Sequence, residues 1–522
     1  MMPTRRKLLE SGLAAALCSQ AQASETARAT FDLEVDVLIV GSGAAGTAAA
    51  VEARQAGASV LVLEKMNSFG GNSIIARGLM SVPCTPMQRA QSIADSPESF
   101  IEDLMRTSYC GHPGRIEKLA MEALATFDWT EKEIGVRWLP DRIEHELAQS
   151  APRTAVIAGG SAAGLMVPLH ERAKTLGVRF ELNERVERIL TQAVDDDIEV
   201  VGLEVVNTRT HVRRRIRARR GIVLASGGFA ADADFRQRYN QRLSPHVGTA
   251  TQPGSTSEVL AEAARIGAWL VHLQYITCVP DANPDEKGWG LSWQFNRYCA
   301  GAQGLWVKRQ TGRRFVNEMS STAERTNAVF DALNEGCDLV AIADARAVRH
   351  PHSALFGPDD AARLVDRGFV QSFDSLEALA QSFEIPYEPL IEEVQSINKA
   401  VQAARSRRER TVDRMGRPVA PEAECMEEGP WYAAPLLAKV LMCGGGIAID
   451  LKARVLSIVD DRPIRKLFAA GEVTGGLFGI GDIGACSLLD ALVFGRIAGR
   501  EAAKPHQDNS NWKIMSPLHS IP

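Results

Sequence analysis

DVLIVGSGAAGTAAAVEARQAGASVLVLEK, Asp36 to Lys65, is the stretch that decides the fold. DVLIV is a short apolar run with β-branched residues, which predicts a buried strand. GSGAAG follows, and then AAAVEARQAGA, a good helix former with small residues on one face. ASVLVLEK, Ala58 to Lys65, reads as the next strand. Gly41, Gly43 and Gly46 therefore occupy the G-x-G-x-x-G positions of a β-α-β unit. Glu64 closes the second strand, in the acidic position expected about 20 residues on. Such a unit binds a dinucleotide: its glycines let the backbone approach a pyrophosphate, and the acid accepts hydrogen bonds from ribose hydroxyls.

Further along, FGGNSIIARGLMSV (Phe69 to Val82) is a second glycine-rich loop. GIVLASGGF (Gly221 to Phe229) and KLFAAGEV (Lys466 to Val473) are two more strands that run into glycine turns. Three strand-to-glycine turns spread over the chain predict one discontinuous nucleotide domain. The piece between has a different texture, with most of the tryptophans, proline-bearing loops and polar helical runs such as EEVQSINKAVQAARSRRER. It reads as an inserted cap. The expected boundaries are residues 1–23 for a leader, 32–250 and 426–505 for the nucleotide domain, 251–425 for the cap and 506–522 for a tail.

A chain of 522 residues exceeds one simple core. Its net charge of −5 gives no reason to expect nucleic acid as a partner. The basic run RRRIRARR, Arg213 to Arg220, alternates with Ile216 and Ala218, so it reads as an edge strand with a solvated face. The N-terminus carries a twin arginine (Arg5, Arg6), a short apolar run and a small-x-small site ending at Ala23. That pattern predicts twin-arginine export to a periplasmic or extracellular destination. The apolar run is too short for a dependable membrane span. None of the nine cysteines forms a C-x-x-C pair, which argues against a zinc ribbon, a metal site of that kind, attached c-type haem or a dithiol redox pair.

Taken in order, VLIVGSGAAG, EK with FGGNS, VLASGGF, GRRFVNE, GGGIAID, LFAAGEVTGG and the LVFGRIAG helix are familiar. The chain resembles the flavoprotein family of soluble fumarate reductases, succinate dehydrogenase flavoprotein subunits, urocanate reductase and 3-ketosteroid dehydrogenases, from about Asp36 to Ala502. The resemblance implies an α/β fold: a discontinuous Rossmann-type FAD-binding domain with an inserted α+β capping domain. It implies an enzyme that makes or removes a carbon–carbon double bond by hydride transfer between flavin N5 and substrate.

The cofactor positions carry over residue by residue. Gly41, Ser42, Gly43, Ala45 and Gly46 match the pyrophosphate loop, and Glu64 and Lys65 the adenosine-ribose end. Gly71, Asn72, Ser73 and Gly78 match the loop beside the flavin. Ala225, Ser226 and Gly227 match the inner turn. Gly471, Glu472, Ser487 and Leu488 match the C-terminal flavin wall. Membrane-bound members attach FAD through a histidine at the position of Asn72, so the resemblance implies non-covalent FAD here.

The substrate side departs from the family. Its dicarboxylate site uses two histidines and two arginines. Here Met442 and Tyr275 (or Ile276, with a one-residue gap) take the histidine positions. Thr322 takes the position of the proton-delivering arginine, and Asp482, within GGLFGIGDIGACSLLD, takes that of the second. A desolvated dicarboxylate needs both charges matched, so the expected substrate is not fumarate. Asp482 suits a substrate with hydroxyl or amine donors, or else caps its own loop. Tyr298 and Gly301 fall where the family has a relay glutamate and arginine, and Arg297 where it has a substrate-binding threonine. Tyr298 is the first choice as acid or base, with Arg297 beside it to lower a phenol pKa near 10; the alternative is a packed aromatic beside a surface cation. With no haem motif, iron–sulfur set or second dinucleotide fingerprint, electrons are expected to pass to or from a separate carrier such as a cytochrome or quinone, or to oxygen. A flavin oxidase of a hydroxyl- or amine-bearing substrate, and a flavin-binding protein with a decayed catalytic set, are the alternatives.

Overall fold

The computed structural model describes residues 30–108, 110–146, 148–194, 197–245, 247–351, 356–479 and 484–505. The leader at 1–23, the tail and Asp482 lie outside the described residues.

The opening unit forms as its pattern predicts. Strand β1 (Leu33–Val40) leads into helix α1 (Ala44–Gln55) and strand β2 (Val60–Glu64). The main sheet continues with β3 (Arg179–Leu182), β4 (Glu184–Val194), β5 (Asp197–Asn207) and β6 (Arg213–Leu224). A second sheet is built from β7 (Ile276–Ala282), β8 (Leu305–Lys308), β9 (Leu339–Asp344), β10 (Gln371–Phe373) and β11 (Trp431–Cys443). Helices α2 (Thr322–Asn334) and α3 (Tyr387–Arg407) belong to the same region. The chain then returns to the main sheet through β12 (Arg454–Leu456) and β13 (Pro463–Ala469), and closes with helix α4 (Ser487–Ala502).

The main sheet has the order β12-β13-β5-β6-β1-β2-β3, with β4 on β5. Its centre is parallel: β1 pairs β2 and β6, and β6 also pairs β13. Three strands distant in sequence thus end side by side, which brings their glycine turns to one edge. This is the crevice at the carboxyl ends of strands where α/β sheets bind ligands. Helices α1 and α4 cover one face of this sheet. Their backbones almost touch, because a Cβ on Gly495 or Gly499 would collide with the carbonyls of Ala45 and Ala49. Small residues on both helices allow that approach.

Two expectations are corrected. The arginine run is not an edge: β6 lies between β1 and β5. Its cations sit inside a sheet because acids on the same sheet, on both adjacent and more distant strands, answer them. Arg213 meets Glu187 at 2.9 Å, Arg214 meets Glu181 at 2.6 Å and Arg219 meets Asp36 at 3.0 Å. The cap also reaches past residue 425. β11 pairs antiparallel with β7, β9 and β10, so residues 431–443 complete the second sheet. An alternating apolar strand fits either sheet by pattern alone, and the hydrogen-bond partners decide. The cap has its own core, in which Leu305, Ile342, Leu379, Leu390, Ile397 and Trp431 pack together.

Candidate active site

The three turns open on one cavity of about 1300 Å³ between the main sheet and the cap. That is larger than the ~300–1,000 Å³ of ordinary small-molecule pockets, as a dinucleotide plus a substrate requires. Its floor is the backbone of Gly41 to Ala45 after β1, Ala225 to Gly227 after β6, and Ala470 to Glu472 after β13. Gly41 has φ +101°, a conformation that favours glycine. A Cβ on Gly41 would strike the Ala225 carbonyl, and one on Gly46 would strike the Gly41 carbonyl. The first turn of α1 can therefore present its free N–H groups to an anion.

Glu64 lines the cavity at the end of β2. Its Oε2 accepts from Ser42 N–H at 3.1 Å and Ser42 Oγ at 2.7 Å, and its Oε1 accepts from Met66 N–H at 2.9 Å. Lys65 lies 3.1 Å from Glu258. Asn72 accepts from Gln252 N–H at 2.9 Å and donates to Ser255 Oγ at 2.9 Å, while Ser73 Oγ accepts from Ala44 N–H at 3.1 Å. Glu472 is half-buried in the cavity floor: desolvation pushes its carboxyl up, opposed by the N–H groups of Cys443 and Gly228 and the side chain of Asn72. Ser487 and Leu488 line the cavity at the start of α4. Asp490, one position beyond Leu489, is pushed up to about 6 by burial, with Arg115 opposing. This donor set and the side-chain-free floor fit FAD: pyrophosphate on the α1 turn, ribose diol on Glu64, flavin toward the Gly71–Ser73 and Gly471–Glu472 walls. Gly46 and Gly78 do not line the cavity. They are close-packed behind it, Gly78 against Ser161 and Ala162.

The candidate catalytic residues are placed differently from expectation. Arg297, Tyr298 and Tyr275 do not line the cavity. Arg297 and Tyr298 sit on a π-helix, Phe295–Gly301. That wide turn sends Tyr298 against the aromatic stack of Trp289 and Trp293, its ring tilted on Trp293 (ring centroids 5.8 Å) and on Phe356 (6.4 Å). Arg297 faces the fully buried Asp281 at 3.8 Å. Burial pushes that carboxyl up, and Arg297 and Arg325 oppose the shift. Tyr275 meets the cavity only through its neighbour, its carbonyl accepting from Gly444 N–H at 2.7 Å.

The cavity wall on the cap side is instead made by Trp289, Glu286, Lys439, Met442 and Phe369, with Arg77 from the main domain. Arg77 stands over the Trp289 ring at 6.0 Å and 3.3 Å from Glu146. Trp289 stacks on Trp293 at 4.5 Å. Of these the sequence reading singled out Met442, at a histidine position, and passed over the others. Lys439 did carry a signal, as the one charged residue in WYAAPLLAKVLMC.

The arrangement defines a flavin-dependent oxidoreductase. The chain belongs to the FAD_binding_2 family, described as an FAD binding domain, whose profile matches residues 36–488. It is 30% identical over 502 residues to the acrylate reductase flavoprotein subunit of Shewanella woodyi, spanning 94% of this chain and 95% of that protein. It is 29% identical over 475 residues to the urocanate reductase of Eggerthella lenta, spanning 90% and 75%. The open conformation of a flavocytochrome c3 fumarate reductase superposes with a TM-score of 0.79 at 28% identity, covering 93% of this chain and 80% of that one. The chain is thus an FAD-dependent oxidoreductase acting on CH–CH bonds. Among the described residues no helix is long and apolar enough to cross a membrane.

Glu64 gives a direct test of the cofactor end. Glu64→Ala removes the charged acceptor and should weaken FAD binding about 10- to 100-fold, the value of a hydrogen bond to an ionised group. Flavin release on dilution reads this, and an unchanged affinity would reject the assignment.

Proposed function

We propose that this chain is an exported FAD-dependent reductase or dehydrogenase of a C=C bond in an organic substrate other than fumarate. FAD is held non-covalently, and electrons are exchanged with a separate carrier, a cytochrome or quinone. Bound FAD would supply the hydride chemistry. The chain supplies the chamber, its dryness and its charge.

The observation that carries the non-fumarate reading is the make-up of the cap-side wall. Among the described residues no histidine lines the cavity. Met442 stands there, its sulfur 3.7 Å from Ser487 Oγ. Thr322 opens α2 and accepts from Arg325 at 3.4 Å. Arg77 is answered by Glu146. A wall in which Arg77 is already paired and Lys439 is the one buried cation without a carboxylate in contact, among the described residues, offers one charge and cannot match two desolvated carboxylates. Acrylate and urocanate, named for two relatives, each present one carboxylate beside the double bond. Non-covalent FAD is supported by Asn72, an amide engaged with Ser255 and Gln252. Export is supported by Arg5-Arg6 and the site at Ala23. With Tyr298 and Arg297 turned to Asp281 and the aromatic stack, substrate contact is assigned to Trp289, Lys439 and Arg77.

The test is steady-state turnover with an artificial one-electron donor, with products identified from enoates, cyclic enones and fumarate. Saturation of a non-fumarate enoate or enone, and full release of FAD on acid precipitation, are expected. Fumarate as the preferred substrate, or FAD retained by the precipitated chain, would count against the reading.

A further inference from the structure

We infer that Lys439 is an anion subsite, and that the substrate carries one carboxylate held on its ammonium while its apolar body lies along Trp289. This rests on the reading of the chain as a C=C reductase or dehydrogenase and names the substrate feature that its cavity selects.

Lys439 projects from β11 into the cavity wall, yet only 4% of the residue is exposed. Its stem passes Gly248, whose missing Cβ would lie 3.4 Å from two of the lysine carbons. Nζ donates to the carbonyls of Glu286 at 2.5 Å and Gly288 at 3.0 Å. An ammonium has three N–H donors, so one remains. Among the described residues no carboxylate lies within salt-bridge reach of it. The Glu286 carboxylate is turned away, accepting from Leu291 N–H at 2.7 Å, Ser292 N–H at 2.9 Å and Ser292 Oγ.

Other cations of the cavity are answered or exposed. Arg77 pairs with Glu146, Lys65 with Glu258 and Arg185 with Glu187. Lys287 and Arg367 are exposed. Lys439 is a buried positive charge held by two carbonyl dipoles, with no carboxylate in contact among the described residues. Such a charge is costly, and burial holds the ammonium below the ordinary lysine range, with Glu286 and Asp285 opposing. A substrate carboxylate would restore the balance and form a charge-assisted hydrogen bond with the remaining N–H. One unanswered cation selects one carboxylate. The loop that Lys439 ties down continues directly into Trp289, so the charged and aromatic recognition elements share one support.

The experiment titrates the FAD-loaded protein by calorimetry with 3-phenylpropionate, which has no double bond to reduce, and with its neutral amide. Turnover of 3-phenylacrylate and 3-phenylacrylamide is measured alongside. The acid should bind about 10- to 100-fold more tightly than the amide. Lys439→Met should erase that difference, raising KM for the acid more than it lowers kcat, and Lys439→Arg should restore part of it. A role confined to holding the 286–290 loop would weaken acid and amide equally. Equal binding of the two probes, an equal loss on both in Lys439→Met, or no measurable binding of the acid would overturn the subsite. Turnover without charge discrimination would sink the subsite and leave the reaction standing. Charge discrimination through Lys439 with no turnover of any unsaturated compound would do the reverse.

Discussion

Gly41→Ala should purify as a folded protein without flavin. Gly41 holds φ +101°, a left-handed conformation that costs an alanine about 1–2 kcal/mol. Its added Cβ would also meet the carbonyl of Ala225. That contact is backbone against backbone, so neither side can swing away. Relief requires β1 and the turn after β6 to part at the floor of the FAD cavity. Affinity should fall by at least about 100-fold, equivalent to ~2.7 kcal/mol. Gly57→Ala separates the two causes. Gly57 has φ +82° with nothing within 4 Å of a Cβ, so this variant pays the backbone cost and should keep its flavin. Flavin absorbance per chain after gel filtration reads both. Full flavin in Gly41→Ala would contradict the placement of the pyrophosphate over this turn.

Arg314→Leu should melt the cap. Arg314 is fully buried and reaches Glu318 at 2.8 Å and Asp413 at 2.8 Å. Arg417 joins the same acids at 3.6 and 3.3 Å, and Glu318 also accepts from Trp306 N–H at 3.1 Å. The partners hold the Arg314 guanidinium above the ordinary range. Replacing a buried pair wholesale can be neutral, but removing one member strands a charge at about 3–5 kcal/mol. At roughly 2–4 °C per kcal/mol for a domain of this size, Tm should fall about 6–20 °C. Scanning calorimetry measures it, and a fall below about 2 °C would show that the network does not hold the cap.

That network explains why some of the molecule was legible and some was not. GRRFVNE is a strong motif, but its charges build the cap interior: Arg314 and Glu318 bond each other. The motif marks the place of the cap backbone without saying which side chains face the cavity. Arg297 and Tyr298 then turned toward Asp281 and the aromatic stack, because a π-helix shifts the facing of every residue on it. The nucleotide end had no such freedom. G-x-G-x-x-G, Glu64 and the three strand-ending turns are constrained by backbone geometry, and those constraints appear in residue type. The arginine run misled for a related reason. Its acidic partners, Glu181, Glu187 and Asp36, lie on other strands, and only pairing reveals that the charges are matched. Lys439 was visible as an isolated charge in an apolar strand. Its meaning came from the loop carbonyls that hold it, which no local pattern supplies.

The most direct measurement is a single turnover. The FAD-loaded protein is reduced anaerobically with an artificial one-electron donor and mixed with 3-phenylacrylate, a cyclic enone or fumarate while flavin absorbance is followed. The account predicts fast reoxidation by the monocarboxylate with formation of its saturated acid, and slow or no reoxidation by fumarate. Fastest reoxidation by fumarate, or reoxidation by air alone with every unsaturated compound inert, would contradict it.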